Sequence, residues 1–184
     1  MSRKTLILNG SPRVNGNTAA LIAELKKHLE GEVIELSAFR SRIAPCVDCR
    51  SCWKTARCVV QDDMQLIYND DFDNNVIASP VYFGTLPGSM LSLISRMQPW
   101  HAAKYFLNQP LEQREKKAAV ILTAGGRGNH KQALNHCYPL FKMLCAKGIE
   151  EHTVYSPLTD THFAGEDQEA LQGVQRLAEW LNQA

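Results

Sequence analysis

Two stretches of this chain carry residue types whose spacing could do chemistry. The first is Asn9-Gly10-Ser11-Pro12-Arg13-Val14-Asn15-Gly16-Asn17-Thr18. Backbone N–H groups at a helix start, the hydroxyls of Ser11 and Thr18 and the charge of Arg13 form a concave donor set suited to a phosphate monoester. The stretch lacks the Gly-Lys-Ser/Thr ending of a nucleoside triphosphate loop and the G-x-G-x-x-G of a dinucleotide loop. It therefore reads as a seat for one terminal phosphate. The same residue types also serve ordinary strand-to-helix turns, so composition alone leaves both readings open. The second stretch gathers Cys46, Cys49, Cys52 and Cys58 within the connection 37–61. In a reducing compartment such cysteines are thiols or metal ligands rather than structural disulfides.

The elements that must position these residues follow from periodicity. The apolar run 6–8, bounded by Gly10 and Pro12, predicts a short buried strand. A helix opens at Asn17 or Thr18, either of which can cap its first amides, and shows Leu21, Ile22, Leu25 and Leu29 on one face. Gly31 ends it, and 32–36 predicts a second strand. The connection 37–61 is too long for a plain loop, which marks it as functional. Asp62, with Gln65 three residues on, has the form of a capping box. A third strand is expected over 76–80, a loop over 81–88, and a helix over 89–97 that Pro99 ends. The stretch 100–113 has no assignable pattern. A fourth strand at 118–123 runs into the glycine turn 124–129, followed by a helix over 131–147 with a kink at Pro139. A weaker strand at 151–155 and an amphipathic helix over 167–181 complete the chain.

Five strands alternating with helices predict an α/β fold: a doubly wound, five-stranded parallel sheet of order 2-1-3-4-5. Ligands bind at the carboxyl ends of such strands. That brings the loops 10–18, 80–88 and 123–129 together, with Tyr82 and Phe83 placed to meet a flat ring. The 184 residues are expected to form one domain, 1–184, with a Cys-rich insertion at about 40–61. A net charge of +1 gives no footprint for nucleic acid or an acidic membrane, which leaves small molecules as the expected partners. The apolar run after Arg3 and Lys4 stops at Asn9, too short for a signal-peptide core, and no stretch is long enough to span a bilayer. A cytoplasmic protein is expected.

With these loops in place, the chain resembles, over essentially its whole length, the NAD(P)H-dependent FMN reductase and multimeric flavodoxin-like group of flavoproteins. The motifs are Asn9-Gly10-Ser11-Pro12-Arg13 with Gly16-Asn17-Thr18, Ser79-Pro80-Val81-Tyr82-Phe83-Gly84 with Pro87-Gly88, and Thr123-Ala124-Gly125-Gly126. The resemblance implies a flavodoxin-like fold in which Ser11, Arg13, Asn17 and Thr18 hold the FMN phosphate. It also implies that Pro80, Val81, Tyr82, Phe83 and Gly84 line the isoalloxazine, with Thr123, Gly125 and Gly126 closing its other side. The implied activity is an oxidoreductase of flavin or quinone reductase type. FMN takes hydride from NADH or NADPH and passes electrons to a small-molecule acceptor or a redox partner protein, without need of a catalytic side chain. A homodimer or homotetramer is implied as well. One alternative is a non-enzymatic carrier like flavodoxin, although such carriers are strongly acidic and this chain is nearly neutral. A flavin-binding regulatory protein is another.

A second resemblance concerns the cysteines. Cys46-Val47-Asp48-Cys49-Arg50-Ser51-Cys52, closed by Cys58, is similar to the cluster motif of the iron-sulfur flavoprotein branch. It implies a [4Fe-4S] cluster on four thiolates, with Arg50, Lys54 and Arg57 offsetting its charge. Zinc, which favours two separated C-x2-C pairs, and metal-free redox thiols stay open beside it. Cys137 and Cys145, on one helix face, are expected to be core residues. His130 is expected at a solvated helix start, and Trp53 is expected to pack.

Overall fold

The computed structural model describes residues 3–69, 71–109 and 114–183. Alternation along the central strands divides the core in two. In β1 (Lys4–Asn9), Leu6 and Leu8 enter one apolar cluster and Ile7 the other. In β3 (Asn74–Pro80), Ile77 opposes Val76 and Ala78 in the same way. In β4 (Lys116–Thr123), Ala118, Val120 and Leu122 oppose Ala119 and Ile121. A strand buried on both faces reads as a continuous apolar run, as a parallel sheet requires. Each fully buried leucine or isoleucine contributes about 2 kcal/mol relative to exposure.

The sheet is parallel throughout. Its order is β2 (Glu32–Ser37), β1, β3, β4, then an edge shared by β5 (Ala146–Lys147) and β6 (Thr153–Ser156). The fold is flavodoxin-like, with the expected order 2-1-3-4-5. The fifth position departs in one respect: β5 pairs with Lys116 and Lys117, and β6 with residues 120–123. Gly148, at a φ of 105°, turns the chain away directly after β5 and so separates it from β6.

Helix α1 (Asn17–His28) covers one face with α7 (Gln168–Asn182). The other face is covered mainly by α4 (Gly88–Ser95) and α6 (Lys131–Met143). Three short helices complete the set: α2 (Cys52–Thr55), α3 (Gln65–Asn69) and α5 (Gln98–Tyr105). Pro99 does not follow a helix end but lies at the start of α5, where its missing N–H leaves no bond unmade. The unassigned stretch is thus helical to Tyr105, and 110–113 lie outside the described residues. Helix α6 stops at Met143 rather than 147 and contains Pro139. Cys137 is fully buried, and burial pushes its thiol up to about 12. Cys145 lies beyond the helix end and is only half-buried, so of the two it is not the core residue expected.

Candidate functional site

At the carboxyl end of β1, the Gly10 N–H donates to Ala78 O at 2.8 Å. A Cβ there would fall 2.5 Å from Ser79 Oγ, so glycine is what lets the loop cross the end of β3. The Ser11 N–H donates to Asn9 Oδ1 at 2.8 Å, and the Arg13 N–H to Ser11 Oγ at 3.2 Å. These bonds turn the chain into α1, whose N-cap is Gly16 rather than Asn17 or Thr18, with no side-chain cap. The first amides of α1 therefore keep their donors for another acceptor. Arg13 is exposed, and its stem lies over Gly16, where a Cβ would come within 2.9 Å of Arg13 Cβ.

The two expected caps are engaged elsewhere. Asn17 Nδ2 donates to Thr159 O at 3.1 Å, and Asn17 Oδ1 accepts from the Ala164 N–H at 2.9 Å. Thr18 Oγ1 lies 2.8 Å from Thr123 Oγ1 in a buried pair. One hydroxyl of that pair donates, which leaves the proton of the other for a ligand.

After β3, the Val81 N–H donates to Thr123 O at 2.8 Å. Tyr82 and Thr85 then exchange backbone bonds of 2.9 and 3.0 Å across a two-residue turn. Its corners, Phe83 (φ 52°) and Gly84 (φ 81°), are both left-handed, which costs nothing at glycine and about 1 kcal/mol at phenylalanine. The Phe83 ring is fully exposed. Behind the turn, Gly84 O accepts from the Ala133 N–H at 3.0 Å, and Thr85 Oγ1 meets His136 Nδ1 at 2.8 Å.

The glycine turn after β4 packs against the loop after β6. The Thr159 N–H donates to Ala124 O at 2.9 Å, and a Cβ on Gly125 would collide with the Asp160 carboxylate. His130 stacks on Tyr155 with ring centroids 4.0 Å apart, which fixes the helix start instead of leaving the ring in solvent.

These loops enclose a cleft of about 300 Å³. Ser11, Arg13, Asn17 and Thr18 line it from the first loop, Pro80, Val81, Tyr82 and Phe83 from the second, and Thr123 and Gly125 from the third. Gly84 and Gly126 do not line it: Gly84 backs the turn, and Gly126 faces open space. Thr159 and Asp160 line it although no motif marked them. Their only signal was positional, because a doubly wound sheet brings the loop after every strand to the same edge. The uncapped helix start and the Thr18–Thr123 pair suit a phosphate, and the Asp160 carboxylate suits hydroxyl groups, so the residues fit FMN. A larger hollow of about 740 Å³ lies beside α5 and α6, lined by Met97, Tyr138 and Leu140 among others, away from the loops at the carboxyl ends of β1, β3 and β4.

The four cysteines of the second stretch line a single small hollow together with Trp53 and Arg96. Among the described residues, no three His, Cys, Asp or Glu side chains are grouped as a metal site. The backbone turns sharply here, with left-handed Asp48, Arg50 and Ala56. Ser51 donors draw the Cys49 thiol down, whereas burial pushes that of Cys52 up, helped by Cys46, Cys49 and Cys58. Arg50 pairs with Asp48 at 3.3 Å and lies over Trp53, so its charge is already shared. Trp53 packs on Phe106, with centroids 4.3 Å apart.

A further cation, which no local motif marks, donates directly to a cysteine sulfur. Arg96, at the C-cap of α4, is 1% exposed. Its guanidinium donates to Asp62 Oδ2 at 2.5 Å and Oδ1 at 3.2 Å, and to Cys58 Sγ at 3.3 Å. Asp62 thus serves Arg96 rather than a capping box: its Oδ1 accepts from the Met64 N–H, but Gln65 Nε2 donates to Val60 O. Burial opposes the Asp62 charge, yet donors from Arg96, Ala44 and Met64 outweigh it and hold the carboxyl below its usual range.

An iron-sulfur flavoprotein of Methanocaldococcus jannaschii is 32% identical over 101 residues, 52% of this chain and 52% of that protein. An iron-sulfur flavoprotein of Methanosarcina thermophila is 28% identical over 130 residues, 68% of this chain and 64% of its own length. The chain spans from about half to just under two thirds of the first curated relatives it matches. Among solved structures, Smu.1420 of Streptococcus mutans superposes with a TM-score of 0.69 at 15% identity, covering 95% of this chain and 98% of that one. An FMN-dependent NADH-azoreductase of Bacillus anthracis in complex with FMN superposes with a TM-score of 0.61 at 14% identity, covering 98% and 100%. A family model described as NADPH-dependent FMN reductase matches residues 3–159. The chain belongs to the NADPH-dependent FMN reductase family.

Proposed function

We propose that this chain is an NAD(P)H-dependent oxidoreductase that holds FMN in the cleft at the carboxyl ends of β1, β3 and β4. The observation that carries the reading is the convergence of the uncapped start of α1 with Arg13, Tyr82 and Thr123 in one cleft. The phosphate takes the first amides of α1, the Arg13 charge and the spare Thr18–Thr123 proton. The ring lies along Pro80, Val81 and Tyr82, with Gly125 opposite, and the Asp160 carboxylate accepts from flavin hydroxyls. When bound, FMN supplies hydride acceptance from a nicotinamide and release of electrons to a quinone, free flavin or protein acceptor. The protein's part is to bind, to orient and to exclude water.

The cysteine hollow is proposed to hold a [4Fe-4S] cluster. Four thiols around one space and relatives named iron-sulfur flavoproteins support it. The thiol side chains must turn to admit the cluster, since the present hollow measures only about 20 Å³. A homodimer or homotetramer is proposed with it, to be read by light scattering.

The test is the visible spectrum of anaerobically purified protein before and after reduction, with iron and zinc measured on the same sample. Flavin bands with a broad iron-sulfide shoulder and about four irons per chain are expected. Flavin bands alone would leave a reductase with free thiols, and one zinc per chain would make the cysteine site structural. No flavin after addition of FMN would overturn the reading. No turnover with quinone or flavin, beside rapid reduction by a partner protein, would make the chain a carrier.

A further inference from the structure

A cluster on four thiolates becomes more negative by one charge when it accepts an electron. Its potential therefore depends on which donors and charges the protein sets against its sulfurs. Around the cysteine hollow, the sequence offers Arg50, Lys54 and Arg57 for this role. Arg50 is shared with Asp48, and Lys54 and Arg57 lie at the periphery of a short exposed helix. Arg96, by contrast, lines the hollow from a fully buried position and already donates to a cysteine sulfur.

The way Arg96 is held separates two jobs. Its Nη1 donates to Ala44 O at 2.8 Å, and its Nη2 lies 3.5 Å from Val60 O. The guanidinium thus spans the two arms of the loop that carries the cysteines. The neighbouring Ser95 Oγ accepts from the Cys46 N–H at 3.0 Å, so the end of α4 fixes the loop at Cys46 and at Cys58. Closing a loop, however, requires only the contacts to Ala44, Val60 and Asp62. The donor to Cys58 is surplus to that need, and so is the buried Nε–H, which has no hydrogen-bond partner among the described residues. A buried donor without a partner is costly unless something adjacent takes it, and Arg96 lines the hollow that the four cysteines share.

We infer that Arg96 is a positioning residue of the cysteine site, one that closes the loop and raises the reduction potential of the cluster by donating to Cys58 and setting a buried positive charge beside it. This rests on the cluster reading above. Asp62 is the counterweight: its carboxylate partly cancels the Arg96 charge, so the pair sets the potential between two limits. One electron enters the cluster from the reductant, and no proton moves at Arg96, whose charge is the same in both states.

The opposite charges give the test its sign. FMN-loaded wild type, Arg96→Gln and Asp62→Asn are reconstituted anaerobically with ferrous iron and sulfide. Iron per chain is measured, and each protein is titrated with dithionite while the reduced cluster is followed by electron paramagnetic resonance. Arg96→Gln is expected to lower the ratio of reduced to oxidised cluster by roughly tenfold at a fixed potential, a shift of about 59 mV for one electron. Asp62→Asn is expected to shift it the other way. A merely structural Arg96 would instead lower iron retention in both variants and leave the potential in place, or move both variants in the same direction, and either result overturns the inference. Where Arg96→Gln retains no iron, Arg96→Lys takes its place, with the charge kept and the planar donors lost. Its potential is expected below wild type, and a potential equal to wild type overturns the inference. A wild type that retains no iron overturns the cluster reading itself, which the iron measurement reveals before any variant is compared.

Discussion

At the scale of single residues, the cleft makes unequal demands on its side chains. Arg13 has no ion pair within the described residues and lies over the helix start, so it is free to meet an anion. Arg13→Ala is expected to weaken FMN binding by about tenfold, as loss of one solvent-exposed, charge-assisted bond implies, with the melting temperature unchanged. Flavin fluorescence titration measures it, and unaltered affinity would remove Arg13 from the phosphate site. Thr18 serves both binding and fold, because its hydroxyl also satisfies buried Thr123. Thr18→Val is therefore expected to weaken FMN binding and, in addition, to cost about 1 kcal/mol of stability. Phe83 is the opposite case: its left-handed backbone and exposed ring stabilise nothing in the fold. Asparagine tolerates that conformation, so Phe83→Asn is expected to gain about 0.5 to 1 kcal/mol while turnover with NAD(P)H falls. Denaturant midpoints and steady-state rates on one preparation decide this, and a variant that loses stability would show that the strain is illusory.

Among the elements, what the sequence made legible is what depends on near neighbours in the chain. The apolar runs of β1, β3 and β4 and the periodic face of α1 are local patterns, and they reappear in the two buried clusters. Gly31 does not end α1, which stops at His28 with Leu29 already extended as its C-cap; Gly31 turns the chain into β2 instead, with a φ of +87° and no room for a Cβ, which would meet Arg3 O at 2.2 Å. Gly31→Ala should accordingly cost about 2 to 4 kcal/mol, because both the backbone strain and the clash with main chain must be relieved. A melting temperature within a degree of wild type would refute that. What the sequence hid depends on distant partners. Asp62 and Gln65 have the spacing of a capping box, but Arg96 takes the carboxylate from 34 residues away. Asn17 has the identity of a cap but reaches Thr159 and Ala164, which no local window contains. The divided edge of β5 and β6 likewise depends on register with β4. The loop after β1 was readable because its donors are largely its own backbone; the cysteine stretch was readable only in its thiols, since the charge set beside them arrives from α4.

Over the whole molecule, carboxylates are the fasteners between segments far apart in sequence, and this fixes how stability varies with pH. Asp73 accepts from the Lys4 N–H at 2.6 Å and pairs with Arg114, tying β3 to β1. Glu35 accepts from Asn9 Nδ2 at 2.7 Å and pairs with Lys26, tying β2 to β1 and α1. Asp62 closes the cysteine loop onto α4 through Arg96, with Cys58 and the Tyr68 hydroxyl facing the same guanidinium or its backbone carbonyl. At all three, burial opposes the charge but the donors outweigh it, so each carboxyl titrates below its usual value in the folded protein. Half-buried Glu24 is held at about 2 by the more exposed Lys27 and His28, a pairing that solvent and salt weaken. The sign follows directly. A group whose folded value lies below its unfolded value adds stability that is complete above the unfolded value, about 3.9 for Asp and 4.3 for Glu. That stability is lost as pH falls through the folded value. The melting temperature is therefore expected to hold between pH 7 and about 5 and to fall steeply below about pH 4. Asp62→Asn should flatten the acid limb, because the variant has less to lose on protonation, although it starts from a lower melting temperature at pH 7. Added salt should depress the Glu24 contribution and leave that of Asp62, whose partner is buried, almost untouched. A melting temperature constant down to pH 3, or an acid limb identical in Asp62→Asn and wild type, would mean that these carboxylates are spectators and that the segments are joined by the apolar clusters alone.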